Sequence, residues 1–427
     1  MKQLNRRMIV KGGAGAFSTL LLRGLASGIP PAYLLNPSTA TAQMMNQAPQ
    51  TLILSTSQRG DPININCPGS YTDGVMNNPD LETRRGRFGG QRHRAATVWC
   101  DLPNELRQRL AFFHYSPRTA AHPEYRDTMT FRGSMLSVNG NGREMFASAM
   151  AQMAFNSNLH RQAEPLPLCD SFLSYKGQPL QLLRPADLKS LFGSPDEALA
   201  NLRQTRNRVL DSLYSDMKVS GTQAQRKFID RYAKSQEQAK SIGDELGDYL
   251  SDIGNNVDED GNANSAEDQI IAAVALAELN ISPVITVNIP FGGDNHQDIG
   301  LIRERDQTIS GVAAIGNLWN RLKTAGIQDR VTFATMNVFG RRHYLNQRGG
   351  RDHNRNHAVM VAFGSNVKGG VYGGMNAEGS AIAIGNIGVN QTMEAAGVSL
   401  AHALGQDPNE VSRRLPNGRL VNNFLRS

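Results

Sequence analysis

The chain has 427 residues, enough to bury a full hydrophobic core as one large domain or several ordinary ones. A composition of 40% hydrophobic and 19% charged residues is typical of a globular protein and excludes a chain that is disordered throughout. The formal net charge is +7, but the first 42 residues contain five of the 45 basic residues and no acid. The remaining 40 basic and 38 acidic residues give a net charge of about +2, so no nucleic acid is expected as a partner.

The N-terminal segment, residues 1–42, has the features of an export signal. The sequence NRRMIVK (Asn5 to Lys11) places two arginines before a moderately apolar, glycine-containing stretch, and Ala40-Thr-Ala42 is a small-x-small cleavage pattern. This resembles a twin-arginine signal peptide, which implies that the twin-arginine translocase exports the folded chain to the periplasm or out of the cell. An N-terminal membrane anchor is the alternative, but Arg23 and the Gly and Pro content interrupt the apolar span it needs. No stable membrane span is expected in the mature chain.

Residues 43–184 are predicted to form the N-terminal part of an α/β core. The apolar runs Thr51–Thr56 and Leu110–Tyr115 are typical of strands, and each leads into a polar loop. Ser55, Thr56 and Ser57 lie near the end of the first strand and Thr119 follows the second, but none has a base or a nucleophile elbow beside it, so the catalytic residue stays unknown. His114 and His122 are further candidates for the same edge, although histidines at such positions more often serve packing.

The three cysteines, Cys67, Cys100 and Cys169, have no CxxC spacing. The pattern excludes a zinc knuckle and favours buried free thiols, with a single disulfide as the alternative.

Residues 185–265 are predicted to be a helical insertion. Segments 186–218 and 222–254 carry apolar residues at helical spacing between many charges, which predicts two amphipathic helices. In the loop that follows, residues 258, 260 and 262 offer oxygen ligands at alternate positions, as calcium loops do. The glycine and closing glutamate of an EF-hand are missing, which favours a solvated acidic turn.

Residues 266–427 are predicted to complete the core and to carry the site. Residues 282–291 form an apolar run, 305–327 a helix, and 330–339 and 357–364 two more apolar runs. A strand, helix, strand order is the crossover unit of a parallel sheet, and ligands of such sheets bind at the carboxyl ends of the strands. The expected fold class is therefore α/β, with a mostly parallel central sheet flanked by helices.

Polar side chains follow two of these strands. Asp294, His296 and Asp298 come after the first strand, and the loop after the second contains Arg341, His343, Asp352, His353 and His357. If the strands are neighbours, the two loops converge on one edge, where mixed carboxylate and imidazole ligands suit zinc, manganese or iron. The alternative is that histidines and arginines pair with the aspartates and brace two long loops.

Four segments, FGGDNHQD, NVFGRR, GGRDHN and GGVYGG, occur in the order and spacing of the domain-of-unknown-function 1501 family. The resemblance extends over most of the mature chain and is weakest in the helical segment. It implies an exported protein with an alkaline-phosphatase-like fold, of the superfamily that also contains the sulfatases. Relatives typically carry G-G-W-D-T-H, S-E-F-G-R and G-R-D-H-W segments.

Carried over residue by residue, the resemblance implies the metal ligands Asp294, His296, Asp352 and His353. Both motif tryptophans are absent here, and the glutamate of the second motif is Val338, which cannot bind a metal and would fit a degraded or single-metal site. The residues expected around the ligands or against a substrate are Asp298, Arg341, His343, His357 and Asn337. The resemblance favours a metal-dependent hydrolase of phosphate or sulfate esters, acting on a small-molecule or glycan ester. The alternative is a non-catalytic envelope binding protein that retains the fold.

Overall fold

The computed structural model describes residues 17–27, 50–60, 63–140, 142–155, 159–169, 173–192, 197–254, 264–291 and 293–426. The arginine pair and the cleavage motif of the predicted signal lie outside these residues, as does the acidic turn at 258–262.

The secondary structure alternates between strands and helices along most of the chain. The strands are β1 (Thr51–Ser57), β2 (Thr83–Phe88), β3 (Gln91–Ala96), β4 (Ala111–Tyr115), β5 (Leu166–Pro167), β6 (Ser174–Tyr175), β7 (Gln178–Pro179), β8 (Val284–Val287), β9 (Val331–Asn337), β10 (Gly340–Arg341), β11 (His353–Asn354), β12 (Ala358–Phe363) and β13 (Gly370–Tyr372). The helices are α1 (Phe17–Ser27), α2 (Ile63–Asn66), α3 (Thr97–Asp101), α4 (Asn104–Arg109), α5 (Tyr125–Met129), α6 (Phe146–Ala154), α7 (Pro185–Phe192), α8 (Glu197–Ser220), α9 (Gln223–Leu250), α10 (Ala266–Glu278), α11 (Ile302–Thr324), α12 (Thr392–Ala403) and α13 (Pro408–Arg414).

Seven strands form the central sheet, in the order β13-β4-β12-β9-β1-β8-β5. β1 is parallel to both β8 and β9, β5 is parallel to β8, and β13 is parallel to β4. Only β12 runs against its neighbours, β4 and β9. The chain is therefore an α/β protein with a mostly parallel sheet, as the sequence predicted. The predicted parallel arrangement of β8 and β9 is confirmed, but the two strands are not neighbours because β1 lies between them.

Side chains on both faces of the sheet are buried. In β1, Ile53 belongs to one apolar cluster and Leu52 and Leu54 to the other, as the alternation of side chains along a strand requires. Helices α3, α9, α10 and α11 contribute to the cluster around Ile53. Helices α5, α6 and α12 contribute to the cluster on the opposite face. Because both faces are covered, ligands can reach the sheet only at its edges, where the strands end.

In its described residues the helical segment forms α7, α8 and α9, where the sequence predicted two helices. Residues 193–196, within the predicted first helix, lie outside the described ranges. Helix α9 begins with a capping box, in which Thr222 and Gln225 each bond the other's backbone N–H. Ala239 and Leu246 of α9 belong to the cluster that covers the Ile53 face, so the segment shares the core of the sheet.

Cys67, Cys100 and Cys169 are buried thiols outside any disulfide, as the favoured interpretation of their spacing predicted. Among the helices of the described ranges, none combines the length and the apolar character needed to cross a bilayer.

Candidate metal centre

The loops that follow β1, β4, β8 and β9 meet at one edge of the sheet. β1, β8 and β9 are parallel, and β4 runs in the same direction because β12 is antiparallel to both β4 and β9. The carboxyl ends of all four strands therefore point to the same edge. Their loops bring together Gln58, Ala120, His122, Asp294, His296, Asp352 and His353.

Two histidines from different loops contact each other directly in this cluster. Nε2 of His296 lies 2.8 Å from Nε2 of His353. Nδ1 of His296 lies 3.0 Å from Oδ1 of Asp352, and Nδ1 of His353 lies 2.5 Å from the carbonyl oxygen of Ala120. A carbonyl and a carboxylate can only accept, so each Nδ1 carries the hydrogen and donates it. In the neutral rings both Nε2 atoms are then bare acceptors that face each other.

His122, in the loop after β4, also donates from Nδ1 to an acceptor. Its Nδ1 donates to the carbonyl oxygen of Gln58 over 2.7 Å, which leaves Nε2 as an acceptor in the neutral ring. The ring of His122 lies 4.6 Å from that of His353, edge to face. Each of the three histidines is therefore held by an acceptor on Nδ1, the arrangement that orients metal-bound imidazoles in proteins.

Asp294 supplies a carboxylate at the same point. Its Oδ1 lies 3.4 Å from Nε2 of His296. In the described part of the chain, His122, Asp294 and His353 form the one group of three residues whose ligand atoms all lie within 4.8 Å of one another. Zn–N bonds of about 2.0 Å at a tetrahedral angle separate two ligand atoms by about 3.3 Å, so these spacings fit a shared ion.

The electrostatic environment favours neutral imidazole at His353. Burial lowers its pKa to about 4; the Ala120 carbonyl opposes this shift, and the nearby charge of Arg341 adds to it. The hydrogen bond from Asn346 holds the pKa of Asp352 below its usual value, and His296 acts in the same direction. Neutral histidine and ionised aspartate are the protonation states that metal binding requires.

A proton shared by Nε2 of His296 and Nε2 of His353 would relieve the repulsion between these two acceptor atoms. It does not explain why His122 and Asp294 converge on the same place. A metal ion held by His122, Asp294 and His353 would explain this convergence, and the donor set of imidazole and carboxylate suits zinc, manganese or iron.

A family model for a protein of unknown function, DUF1501, matches residues 149–420, more than half of the chain. The chain belongs to the DUF1501 family. No curated protein matches it. The DUF1501 match contains Asp294, His296, Asp352 and His353, whereas His122 precedes it.

Arg341, in the G-R of the DUF1501-like second motif, is fully buried behind the cluster. Its guanidinium donates to the carbonyl oxygens of Arg59, at 2.8 Å, and of Gly293. The nearest oxygen of Asp294 is 3.9 Å away. The main contacts of Arg341 are thus with the backbone of the loops after β1 and β8, so this residue fixes the loops that carry the candidate ligands.

Phe339 forms the wall beside Arg341. Its ring is stacked on His353 with 4.0 Å between the centroids, and Arg341 lies over it at 5.6 Å. Stacking on one side and the Ala120 hydrogen bond on the ring edge leave the His353 imidazole little freedom to rotate.

Asp298 does not join the cluster. Its two carboxylate oxygens accept from the backbone N–H groups of Arg303, at 2.9 Å, and Glu304, at 2.8 Å. Leu301, at the N-cap position of α11, provides no side-chain cap, so Asp298 satisfies the free donors of this helix end.

The arginines of the loops do not neutralise the two candidate aspartates by close ion pairs. Arg351 is fully buried and binds Glu304 at 2.6 Å. Asp352 accepts from Asn346 at 2.9 Å and from His296. The histidine part of the bracing alternative is present, because His296 lies 3.0 Å from Asp352 and 3.4 Å from Asp294. Its arginine part is limited to Arg341, at 3.9 Å from Asp294.

His357 lies in a separate buried pair with His114. The carbonyl of Pro68 accepts from Nε2 of His114, whose Nδ1 accepts from Nε2 of His357 over 2.8 Å. Asn64 donates to Nδ1 of His357 and also binds the backbone of Arg341. Burial lowers the pKa of both imidazoles. Every ring nitrogen of this neutral pair has a partner, so the pair braces the loop of Arg341.

His343 lies at the periphery of the protein, whereas Asn337 and Val338 lie in its interior. His343 is half-buried, and its ring packs edge to face on Tyr344. Asn337 ends β9 and is buried, and its carbonyl accepts from Tyr115 at 3.4 Å. Val338 is fully buried in the apolar cluster on the Leu52 face.

The sequence placed His122 only among further candidates and did not identify the acceptors Ala120 and Gln58. The available signal was position: His122 follows β4 as Asp294 follows β8, and both strands end at the same edge.

Proposed function

We propose that this DUF1501 protein is an exported metal-dependent hydrolase of phosphate or sulfate esters with an alkaline-phosphatase-like fold. It acts in the periplasm or outside the cell after twin-arginine export. One observation carries the proposal: three histidines, each held through Nδ1 by an acceptor, converge with Asp294 at the carboxyl edge of the sheet.

In this proposal His122, Asp294, His296 and His353 hold a zinc, manganese or iron ion. When bound, such an ion would polarise a phosphoryl or sulfuryl oxygen and activate water. Asp352 keeps Nε2 of His296 available by accepting from Nδ1. Ala120 and Gln58 do the same for the other two histidines through their backbone carbonyls.

The charge around the cluster suits an anionic ester. Arg342 is exposed, and its charge contributes to the lowered pKa of Asp352, after the larger effect of Asn346. Arg355 is exposed two residues beyond His353. One guanidinium group can donate two parallel hydrogen bonds to two oxygens of a phosphate or sulfate. Arg342 and Arg355 would therefore orient the substrate beside the histidine cluster.

Water rather than a side-chain hydroxyl is the nucleophile in this proposal. The hydroxyl of Ser57 accepts from the backbone N–H of Arg59 at 3.0 Å. The hydroxyl of Thr119 accepts from the N–H of Ala121 at 3.3 Å. Both hydroxyls near the cluster thus stabilise turns.

The test uses the full chain, stripped of metal by chelation and reloaded separately with Zn²⁺, Mn²⁺ or Fe²⁺. Hydrolysis of p-nitrophenyl phosphate and p-nitrophenyl sulfate is then measured. One of these metals should restore hydrolysis, and His353→Ala should abolish it. The control His343→Ala removes a histidine of the same loop and should retain activity.

The position of Val338 favours a second candidate, a non-catalytic envelope binding protein. The second motif of the family carries a glutamate where this chain has a buried valine. If the chain binds metal stoichiometrically and hydrolyses neither ester, the binding function is favoured. If neither metal binding nor hydrolysis occurs, the metal-dependent proposal is wrong.

A further inference from the structure

We propose that the helical segment is a docking surface for the chain's own N-terminal helix, α1, and that this docking limits how readily the leader is released for export. The docking itself rests on contacts in the folded chain. The effect on export rests on the proposed export function, so the two parts are tested separately.

The apolar side of α1 is buried against the folded domain. Leu22 and Leu25 are 0% and 1% exposed, whereas Arg23 between them is exposed. Helix α9 provides most of the surface, and α7 also contacts α1. The alternation of buried leucines and an exposed arginine shows that α1 packs with one defined face.

Gly243 of α9, which contacts α1, belongs to a stripe of small buried residues. Ser235, Ala239 and Gly243 are buried and follow one another at intervals of four residues, so they lie on one stripe of the helix. Small residues at this spacing allow two helix backbones to approach closely.

Gly243 is the residue that fits this surface to α1 specifically. A Cβ atom at this position would lie 2.8 Å from the carbonyl oxygen of Leu25, and its three nearest neighbours would all be backbone atoms of Leu25 and Ala26. Glycine is unfavourable in the interior of a helix, and Gly243 lies deep inside the 28-residue α9. The glycine is explained by the close approach of α1.

Helix α8 also contacts the C-terminal end of α1. The guanidinium of Arg206 donates to the carbonyl oxygen of Ser27 over 2.7 Å. Ser27 is the last residue of α1, where carbonyl groups lack partners within the helix and the helix dipole is negative. The apolar contact with α9 and this polar contact with α8 together fix both the position and the direction of α1.

Docking and export compete for the same segment. A translocase must take hold of the leader, and a leader whose helix is docked for most of the time is available for only the remaining fraction. Weakening the contact between α1 and the helical segment should therefore speed the capture of the leader by the translocase, while the folded core stays unchanged.

The first experiment measures hydrogen exchange in the full chain. Amides of residues 22–27 should be protected, because an isolated helix of this length is unstable in water. Gly243→Leu should lower this protection at least tenfold, and Ser241→Leu, on the exposed side of the same helix, should preserve it. Exchange in β9 verifies that the core stays folded.

A second pair of variants covers the case in which Gly243→Leu disturbs α9. Leu25→Asp changes only the docked helix and should also lower its protection at least tenfold, whereas Arg23→Asp, at an exposed position, should leave it high. Rapid exchange of residues 22–27 in the wild type, or equal protection in Leu25→Asp and Arg23→Asp, would overturn the docking.

The second experiment follows the conversion of the precursor into a shorter form in cells after a pulse of labelled methionine. Gly243→Leu should accelerate the conversion about twofold or more relative to both the wild type and Ser241→Leu. An unchanged rate in a variant that has lost protection would refute the control of release. If the wild type itself yields no shorter form, the export proposal fails and the control of release fails with it, while the exchange data still decide the docking.

Discussion

Nε2 of His296 and Nε2 of His353 lie 2.8 Å apart although each ring donates its other nitrogen to an acceptor, Asp352 or the carbonyl of Ala120. Two neutral rings held in this way repel each other, and a positive charge between them would relieve the repulsion. The candidate sources are a proton and a metal ion, and the prediction on His122 distinguishes the two.

His122 should be required for metal binding. His122→Ala should lower the affinity for Zn²⁺ at least tenfold, because it removes an imidazole whose ligand atom lies within 4.8 Å of those of Asp294 and His353. At a free metal concentration 100 times its Kd, the wild type should gain about 2.7 kcal/mol of stability, read as a rise in Tm. His402→Ala, in α12, is the matched control. A wild-type Tm that does not respond to Zn²⁺, Mn²⁺ or Fe²⁺ would exclude the metal site.

Asp352 should act through His296. Asp352→Ala removes the acceptor of Nδ1, which frees the ring to rotate and to change tautomer. Loss of such a partner typically lowers metal affinity about 10–100-fold. Isothermal titration of the chelated protein with Zn²⁺ measures the change, and Asp306→Ala, an exposed aspartate of α11, is the control. Undiminished affinity in Asp352→Ala would show that Asp352 does not position His296 for metal binding.

Much of the fold follows from local sequence patterns. β1 and β9 are continuous apolar or β-branched runs, and such runs indicate strands that are buried on both faces. The order of strands is not local information. β1 lies between β8 and β9 because contacts between residues that are distant in the sequence decide which strands pair. No pattern within residues 282–339 indicates that another strand is inserted between β8 and β9.

The location of the candidate site was predictable to the extent that it follows from strand ends. The sequence placed Asp294, His296, Asp352 and His353 at one edge because they follow strands whose carboxyl ends meet, and their role as metal ligands stays a prediction. The separate role of Asp298 could have been inferred, because an aspartate just before a helix is a capping signal. The tautomers of the histidines could not have been inferred from the sequence, since they depend on backbone carbonyls from distant loops.

Asp298 should matter for stability rather than for metal. Asp298→Ala leaves two backbone donors at the start of α11 without their carboxylate, and loss of a helix cap costs about 1 kcal/mol of unfolding free energy. Urea denaturation of the metal-free protein should show this loss, with Asp306→Ala near the wild-type value. Metal affinity should change little in either variant. A large drop in affinity with unchanged stability would instead place Asp298 among the ligands.

The buried pair of His114 and His357 should make the protein sensitive to acid. Burial lowers the pKa of His114 to about 4, whereas an unfolded chain has a histidine pKa of about 6.5. Between these values the unfolded chain binds protons that the folded chain does not. Stability is therefore complete above pH 6.5 and decreases as the pH falls toward 4.

The loss should reach about 1.4 kcal/mol per pH unit for each such histidine. Urea denaturation at pH 7.5, 6 and 5 measures it, on chelated protein so that metal-linked protons do not contribute. His114→Gln removes one titrating group, so its stability should start lower at pH 7.5 and fall less steeply with acid. Parallel pH dependences in the variant and the wild type would show that His114 is not a source of the acid sensitivity.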